Sequence, residues 1–263
     1  HAISFVRDTL APKLPPHDQL RYAVAYIDDA YGRPVGKGAE AEVKESGQAL
    51  AGTFPYDPTT TDFTPLASQL EAARADVLFA VSYLDDGVAL RRATVRLPLK
   101  AAIGTSSSFC HPAFGDRLGD EAVGLFASDK PDAANVNPDA LSPEGRAALA
   151  WVSRTYEARY GEEMSSPALS GFSSAAALLR YVAPAARDLT TGGLAAAATR
   201  IKLPEGTLAN GAGLDLAPPG ALDAGANRRS AAVIWEWVAP RTRAVVWPPA
   251  LATQEVVPLP VQR

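Results

Sequence analysis

The first half of the chain alternates between short apolar runs and amphipathic segments. Each apolar run has the length of a single strand and is apolar enough to be buried on both faces of a sheet. These runs predict strands over 21–27, 49–54, 76–83, 100–104 and 123–127. The segments between them predict helices over 34–46, 61–74 and 87–95, after an opening helix over 1–10. Such alternation is typical of βαβ units, so the sequence predicts an α/β fold with a parallel sheet flanked by helices.

The second half of the chain has a different pattern. A polar, proline-bearing stretch over 128–138 is the best candidate for a crossing between two domains. Ser142 is suited to capping the helix that follows, and Gly161 is suited to ending it. Beyond the crossing, the sequence predicts three helices, over 142–160, 167–183 and 193–201, and then a two-stranded hairpin from 230–238 and 243–247.

The composition mainly excludes certain partners and certain types of site. The 263 residues are 47% hydrophobic, which is enough for a sizeable core in one large or two modest domains. A formal net charge of −4 offers no broad basic surface, so neither nucleic acid nor an anionic membrane is expected as a partner. Cys110 is the only cysteine, which excludes an intramolecular disulfide and a multi-cysteine metal site. We expect no metal and no other cofactor.

We find neither a membrane-spanning segment nor a secretory signal in the sequence. No apolar run approaches the ~20 residues that a membrane-spanning helix needs. The N-terminus also lacks the charged and then apolar layout of a secretory signal. Because the opening helix begins directly at His1, we expect further residues to precede it in the full gene product.

Cys110 and His111 are the strongest candidates for a catalytic pair. Adjacent side chains in an extended segment point to opposite faces, whereas a thiolate and an imidazole must converge within hydrogen-bond reach. We therefore interpret the pair as structural. Neither serine-bearing segment, 104–109 or 170–174, matches the Gly-x-Ser-x-Gly elbow of the hydrolases. An α/β hydrolase-like activity that uses Ser106 or Cys110 is kept as the enzymatic alternative.

Paired aspartates follow two of the predicted strands, Asp28 with Asp29 and Asp85 with Asp86. Paired carboxylates at such positions can bind a cation or cap the helix that follows. Capping is the commoner use, so we interpret both pairs as helix caps.

Polar and aromatic side chains collect just beyond the ends of three predicted strands. They are Tyr31, Ser82, Tyr83, and the hydroxyl-rich run 105–108 that begins with Thr105 and Ser106. In open α/β sheets, ligands bind at the carboxyl edge of the strands. Phenols and hydroxyls at that edge suit hydrogen bonding to a small polar solute, and the absence of an acid–base pair argues against turnover.

Several segments taken in order carry a family resemblance. They are Asp29-Ala-Tyr-Gly32, Asp62-Phe-Thr-Pro-Leu66, 70–79, 83–92, Ile103-Gly-Thr-Ser106, 118–124, 156–160, 171–175, and the tail segments 233–237 and 245–249. Each is loose alone, but their order and spacing resemble the leucine/isoleucine/valine-binding family of ABC-transporter receptors. The resemblance extends over nearly the whole chain.

The resemblance implies a type I periplasmic binding protein with two α/β lobes. It places residues 1–127 in the second lobe, 128–131 in a hinge crossing and 132–225 in the returning part of the first lobe. Residues 226–263 would form the tail hairpin and a C-terminal extension. The opening part of the first lobe would then be absent from this chain.

The resemblance also implies a function. We expect a monomeric, non-enzymatic receptor that binds a small, carboxylate-bearing solute and passes it to a membrane permease. It would be extracellular or periplasmic and anchored by a lipid. Ligand contacts carry over to Tyr31, Ser82 with Tyr83, and Ser106 with Thr105. Ser106 stands where branched-chain amino-acid receptors place a glutamate, which puts an α-amino acid ligand in doubt; a ligand-sensing regulatory domain on the same fold is the alternative.

Overall fold

A computed structural model of the protein describes residues 1–105, 108–221 and 223–258. The chain divides into two compact units. Unit 1 comprises His1–Asp129, Ile234–Trp247 and Gln254–Arg263, and unit 2 comprises Lys130–Val233 and Pro248–Thr253. In the described residues, none of the helices combines the length and the apolar character required to cross a membrane.

The strands follow closely the apolar runs of the sequence. In chain order they are β1 (Arg21–Ile27), β2 (Ala49–Tyr56), β3 (Val77–Val81), β4 (Ala101–Thr105), β5 (Phe126–Asp129), β6 (Lys202–Leu203), β7 (Leu214–Asp215), β8 (Val233–Ala239) and β9 (Thr242–Trp247). The main sheet has the strand order β2-β1-β3-β4-β5-β8-β9, and β1 to β5 pair in parallel. The tail hairpin is confirmed, because β8 and β9 pair antiparallel. The structure is therefore α/β with a mostly parallel sheet.

Helices flank this sheet in unit 1 and are the longest elements of unit 2. They are α1 (Ala2–Phe5), α2 (Gly32–Glu45), α3 (Thr64–Ala72), α4 (Leu84–Thr94), α5 (Pro112–Leu118), α6 (Pro143–Tyr160), α7 (Ser166–Ala177), α8 (Ala183–Ala185) and α9 (Thr191–Arg200). Helix α1 continues into a π-helical turn over Val6–Leu10, and α7 continues into another over Leu178–Val182. A core cluster of unit 1 packs the sheet against α1, the π-helical turn that follows it and α2, with Phe5, Val24 and Ile103 among its buried members.

Two boundaries differ from the sequence-based expectation for local reasons. The fifth strand begins at Phe126, three residues later than expected, because Gly124 has a φ of 81° that interrupts extended backbone. Helix α4 begins at Leu84, three residues before its predicted start at Gly87, so Asp85 and Asp86 lie inside its first turn and do not precede it. The predicted position of that pair relative to the helix was therefore wrong. Acidic residues in a first turn still favour the helix through its dipole.

The start of α6 in unit 2 was predicted correctly. The Ser142 hydroxyl accepts a hydrogen bond of 3.0 Å from the Gly145 backbone N–H, which satisfies one free donor at the helix start. Gly161 ends the helix with a φ of 73°, in the left-handed region that favours glycine. The strands of unit 2 are short: β6 and β7 each have two residues.

Candidate functional site

Three neighbouring strands bring the candidate residues to one edge of unit 1. In the sheet, β3 lies between β1 and β4, and all three are parallel, so their carboxyl ends meet at the same edge. Tyr31 lies just before α2, Tyr83 just before α4, and Thr105 is the last residue of β4. The structure therefore brings these three predicted site residues together.

The two tyrosines form an aromatic pair that hydrogen bonds hold in place. Their ring centroids are 5.6 Å apart and the ring planes are tilted by 35°. The Tyr31 hydroxyl donates to Thr105 Oγ1 at 2.8 Å, and the Tyr83 hydroxyl donates to Asp29 Oδ2 at 3.0 Å. Tyr31 is half-buried, whereas Tyr83 is 43% exposed. The pair thus presents an aromatic surface whose two phenol groups are fixed at one end.

Asp29 is the anchor of this arrangement. Its Oδ1 accepts hydrogen bonds from the backbone N–H groups of Tyr31 at 2.9 Å and Gly32 at 2.6 Å, so it caps α2 as the sequence predicted. The Gly32 N–H is the main cause that lowers the pKa of Asp29, and the Tyr83 hydroxyl lowers it further. Asp29 therefore remains ionised while it holds both the helix start and the Tyr83 side chain.

Both phenols stay protonated over the physiological pH range. Burial is the main cause that raises the pKa of Tyr31. The hydrogen bond to the Asp29 carboxylate is the main cause that raises the pKa of Tyr83. Each hydroxyl therefore acts as a donor within the protein and leaves its oxygen lone pairs free to accept.

Ser82 and Ser106 were also predicted at this edge. Ser82 is fully buried, and its hydroxyl donates to Ser108 Oγ at 2.9 Å. A methyl group added at Gly87 would lie 2.9 Å from that same Ser108 oxygen, so the layer behind the site is tightly packed. Ser82 therefore belongs to a buried layer next to the site, and its side chain does not reach the surface. Ser106 lies outside the described residues.

The Cys110–His111 pair does not have the geometry of a nucleophile and its base. The buried Cys110 thiol donates to Asp129 Oδ2 at 2.9 Å, and burial is the main cause that raises the pKa of the thiol well above its ordinary value. His111 is exposed, and its Nδ1 accepts a hydrogen bond from the Ala113 backbone N–H at the start of α5. The thiol is thus held in its protonated, unreactive form.

Alkylation should report this environment directly. We expect Cys110 in the native protein to react with iodoacetamide at pH 8 far more slowly than in denaturant, because the thiol is buried and protonated. Mass spectrometry of the intact protein over time measures both rates. Equal rates in the native and denatured protein would contradict the buried position and reopen the hydrolase alternative.

Asp29 and Ser108 are the site residues whose roles sequence reasoning missed in part. Asp29 was expected only to cap α2, and Ser108 was one of several hydroxyls in a loop. Asp29 and Tyr83 are 54 positions apart in the chain, and Ser82 and Ser108 are 26 apart. In the sequence, Asp29, the Ser82–Tyr83 pair and Ser108 each follow one of three neighbouring strands. Those positions predict that the residues lie close together, but they do not predict which side chain bonds to which.

Comparison with known proteins identifies the family. A family model described as periplasmic binding protein matches residues 9–221. The chain belongs to the periplasmic binding protein family. A curated relative of this family member, the Leu/Ile/Val-binding protein homolog 8 of Brucella abortus (strain 2308), is 26% identical over 211 residues, which are 78% of this chain and 50% of the relative. The chain thus spans about half the length of that relative.

Solved structures agree on the fold of this family member. A leucine binding protein from Thermotoga maritima has a TM-score of 0.70 at 16% identity, covering 93% of this chain and 62% of its own. A fatty acid ABC transporter substrate-binding protein from Thermomonospora curvata has a TM-score of 0.66 at 15% identity, covering 93% and 60%. The chain therefore has the fold of type I periplasmic binding proteins. The resemblance to the leucine/isoleucine/valine-binding receptors is confirmed.

Proposed function

We propose that the protein is a non-enzymatic solute receptor of an ABC importer. Its carboxyl-edge surface in unit 1 binds a small, carboxylate-bearing solute through Tyr31, Tyr83 and Thr105. The receptor acts outside the cytoplasm and passes its solute to a membrane permease. In this proposal, residues 1–127 form the second lobe of the receptor and residues 132–225 form the returning part of the first.

The fixed tyrosine pair is the observation that carries this proposal. Two aromatic rings 5.6 Å apart, each tied down through its hydroxyl, form a rigid surface for an apolar or planar part of a ligand. Because both side chains are already ordered, a ligand that packs on them loses little additional entropy. Rigid aromatic surfaces with a few fixed polar groups are typical of small-molecule sites.

The names of similar proteins favour a carboxylate-bearing solute, and the charge of Asp29 indicates how that solute is oriented. The curated relative is named as a Leu/Ile/Val-binding protein homolog, and the similar structures include a leucine binding protein and a fatty acid ABC transporter substrate-binding protein. Leucine, isoleucine, valine and fatty acids all carry a carboxylate. Asp29 lies beside Tyr83 in its ionised form, so a second carboxylate placed against it would be repelled. We therefore expect the ligand carboxylate to point away from Asp29, while the rest of the solute packs on the tyrosines.

The ligand can be identified by thermal-shift screening of the full-length gene product. Amino acids, fatty acids, aromatic acids, short amides and polyols make up the panel. A ligand present at a hundredfold excess over its Kd stabilises the native state by ~2.7 kcal/mol, which raises the melting temperature measurably. Turnover of a stabilising compound during incubation would refute the receptor and support an enzyme.

Tyr31 provides the mutational test of the site. We expect Tyr31→Ala to weaken binding of the identified ligand by about 1–3 kcal/mol, because the ring surface is lost. Tyr31→Phe should lose only the hydroxyl's share, about 1 kcal/mol, because the ring remains while its bond to Thr105 is removed. Isothermal titration calorimetry measures both values.

The matched control is Tyr160→Ala, which removes an exposed tyrosine at the end of α6. Its Kd should equal that of the wild type. Wild-type affinity in both Tyr31 variants would show that the solute binds elsewhere.

A further inference from the structure

One carboxylic acid of unit 1 is buried inside the protein. Glu236 lies on β8 with no exposed surface, and among the described residues neither of its carboxylate oxygens has a hydrogen-bond partner. Its neighbours Trp235 and Trp237 share one face of the sheet, because the Arg243 guanidinium lies 4.4 and 6.0 Å from their ring centroids. Side chains alternate along a strand, so Glu236 points to the opposite face.

A short C-terminal segment packs on that opposite face. We call residues 254–258 the tail segment. The Gln254 backbone N–H donates to the Val245 carbonyl of β9 at 3.2 Å. Val256 is 5% exposed and belongs to the same core cluster as Ile234, which is on the same face of β8 as Glu236. The tail segment is thus docked on β8 and β9 by a backbone hydrogen bond and a buried side chain.

Lys13 is the charged side chain that acts on Glu236 from the surrounding elements. Its Nζ donates to the Val256 carbonyl at 3.3 Å, and its positive charge favours the ionised form of Glu236. In the tail segment, the Val257 backbone favours that form as well, whereas the side chain of Glu255 is exposed. The remaining neighbouring elements contribute apolar groups or an exposed ion pair: Ala244 on β9, Phe126 on β5, and Arg7 with Asp8 in the π-helical turn after α1.

The burial of Glu236 makes docking of the tail segment depend on pH. Burial raises the pKa of Glu236 from 4.5 to about 7, although the Val257 backbone and Lys13 lower it in part. The docked state therefore holds a proton that a hydrated carboxyl group has already lost. Docking is most stable below pH 4.5 and loses that stability as pH rises through about 7. Opening of the tail segment relieves the penalty, because water then reaches the ionised carboxylate.

We propose that the tail segment is a pH-sensitive switch, which docks on β8 and β9 over the protonated Glu236 and opens more often when Glu236 is ionised. Opening breaks the hydrogen bonds that Gln254 and Lys13 make, and it leaves the strands of the sheet paired. The switch is built from unit 1 alone and does not depend on the proposed solute site.

Residue-resolved amide hydrogen exchange tests this proposal in the full-length gene product. The Gln254 amide is the probe, because its hydrogen bond to Val245 forms only while the tail segment is docked. After correction for the intrinsic effect of pH on exchange, its protection factor should fall on the order of fiftyfold from pH 5 to pH 8. The reason is that each pH unit between the two pKa values of Glu236 favours opening by about tenfold. Glu236→Gln should abolish this fall, and the control Glu255→Gln should retain it.

The Gly124 amide serves as the internal control, because it donates at 2.9 Å to the Trp237 carbonyl on the strand that carries Glu236. We expect it to be better protected than Gln254 at every pH, since the tail segment opens without that strand. Equal protection of the two amides would show that the strand and the tail segment open together, which would overturn the proposal. A constant protection factor for Gln254 in the wild type, or the same fall in Glu236→Gln, would also overturn it.

Discussion

Replacing Trp237 with alanine should lower the free energy of unfolding by about 3–5 kcal/mol, the usual cost of removing a large buried aromatic side chain. Trp237 lies on β8 and is 1% exposed. Its indole Nε1–H donates to the Phe109 carbonyl at 2.7 Å, and its ring lies 6.1 Å from that of Phe114. A methyl group added at Gly115 would lie 2.3 Å from the indole, so the ring packs directly against the Gly115 backbone.

The effect of Trp237 should reach the candidate site. Phe109 adjoins Ser108, and Ser108 accepts the hydrogen bond from Ser82 behind the tyrosine pair. Trp237→Phe retains much of the packing but leaves the Phe109 carbonyl without its donor, which should cost about 1–3 kcal/mol. The tail hairpin thus braces the loop that backs the site.

Urea unfolding followed by circular dichroism measures these changes without relying on tryptophan fluorescence. Trp151→Ala is the matched control, because that side chain is 55% exposed in unit 2. We expect the control to change stability in this chain by less than about 0.5 kcal/mol. A change for Trp237→Ala no larger than that of the control would contradict the bracing role.

Glu236→Gln should stabilise the protein at pH 8 by about 3 kcal/mol and leave its stability at pH 4 nearly unchanged. Glu236 is fully buried on β8, and among the described residues neither of its carboxylate oxygens has a hydrogen-bond partner. Burial raises the pKa of Glu236 from 4.5 to about 7. The Val257 backbone and the Lys13 ammonium group lower the pKa in part, although neither completes a hydrogen bond to the carboxylate.

The direction of this pH dependence follows from the number of protons that the folded and unfolded states bind. Between pH 4.5 and about 7 the folded protein keeps a proton on Glu236 that the unfolded chain has released. The stability contributed by the neutral side chain is therefore fully present below pH 4.5 and is lost as pH rises through about 7. Glutamine is neutral at every pH, so the variant should lack this loss.

Urea midpoints of the wild type and the variant, measured from pH 4 to 8, test this expectation. Glu255→Gln is the control, because Glu255 is an exposed glutamate in the same tail. Parallel pH profiles for the wild type and Glu236→Gln would show that the carboxylate is ionised in the folded protein throughout this range.

Local patterns were sufficient to predict most elements of the fold. The strand over Arg21–Ile27 was predicted to the residue, because an apolar run bounded by polar residues has few alternatives to a buried strand. The α6 start at Ser142 and the tail hairpin were also predicted, since caps and turns depend on nearby residues. The position of Asp85 and Asp86 was predicted wrongly because α4 begins at Leu84, three residues before the predicted start, and local pattern encodes the end of a helix less sharply than its presence.

The sequence by itself also determined that Tyr31, Tyr83 and Thr105 belong to one edge of the sheet, since parallel strands share a carboxyl edge. Only the tertiary structure decided their partners. The hydrogen bond between Tyr31 and Thr105 joins residues 74 positions apart. It forms because the sheet places β1, β3 and β4 side by side, which brings the segments that follow β1 and β4 close together. Burial was decided in the same way: Ser82 is covered by the loop that carries Ser108, and no local pattern encodes what packs over a side chain from a distant segment.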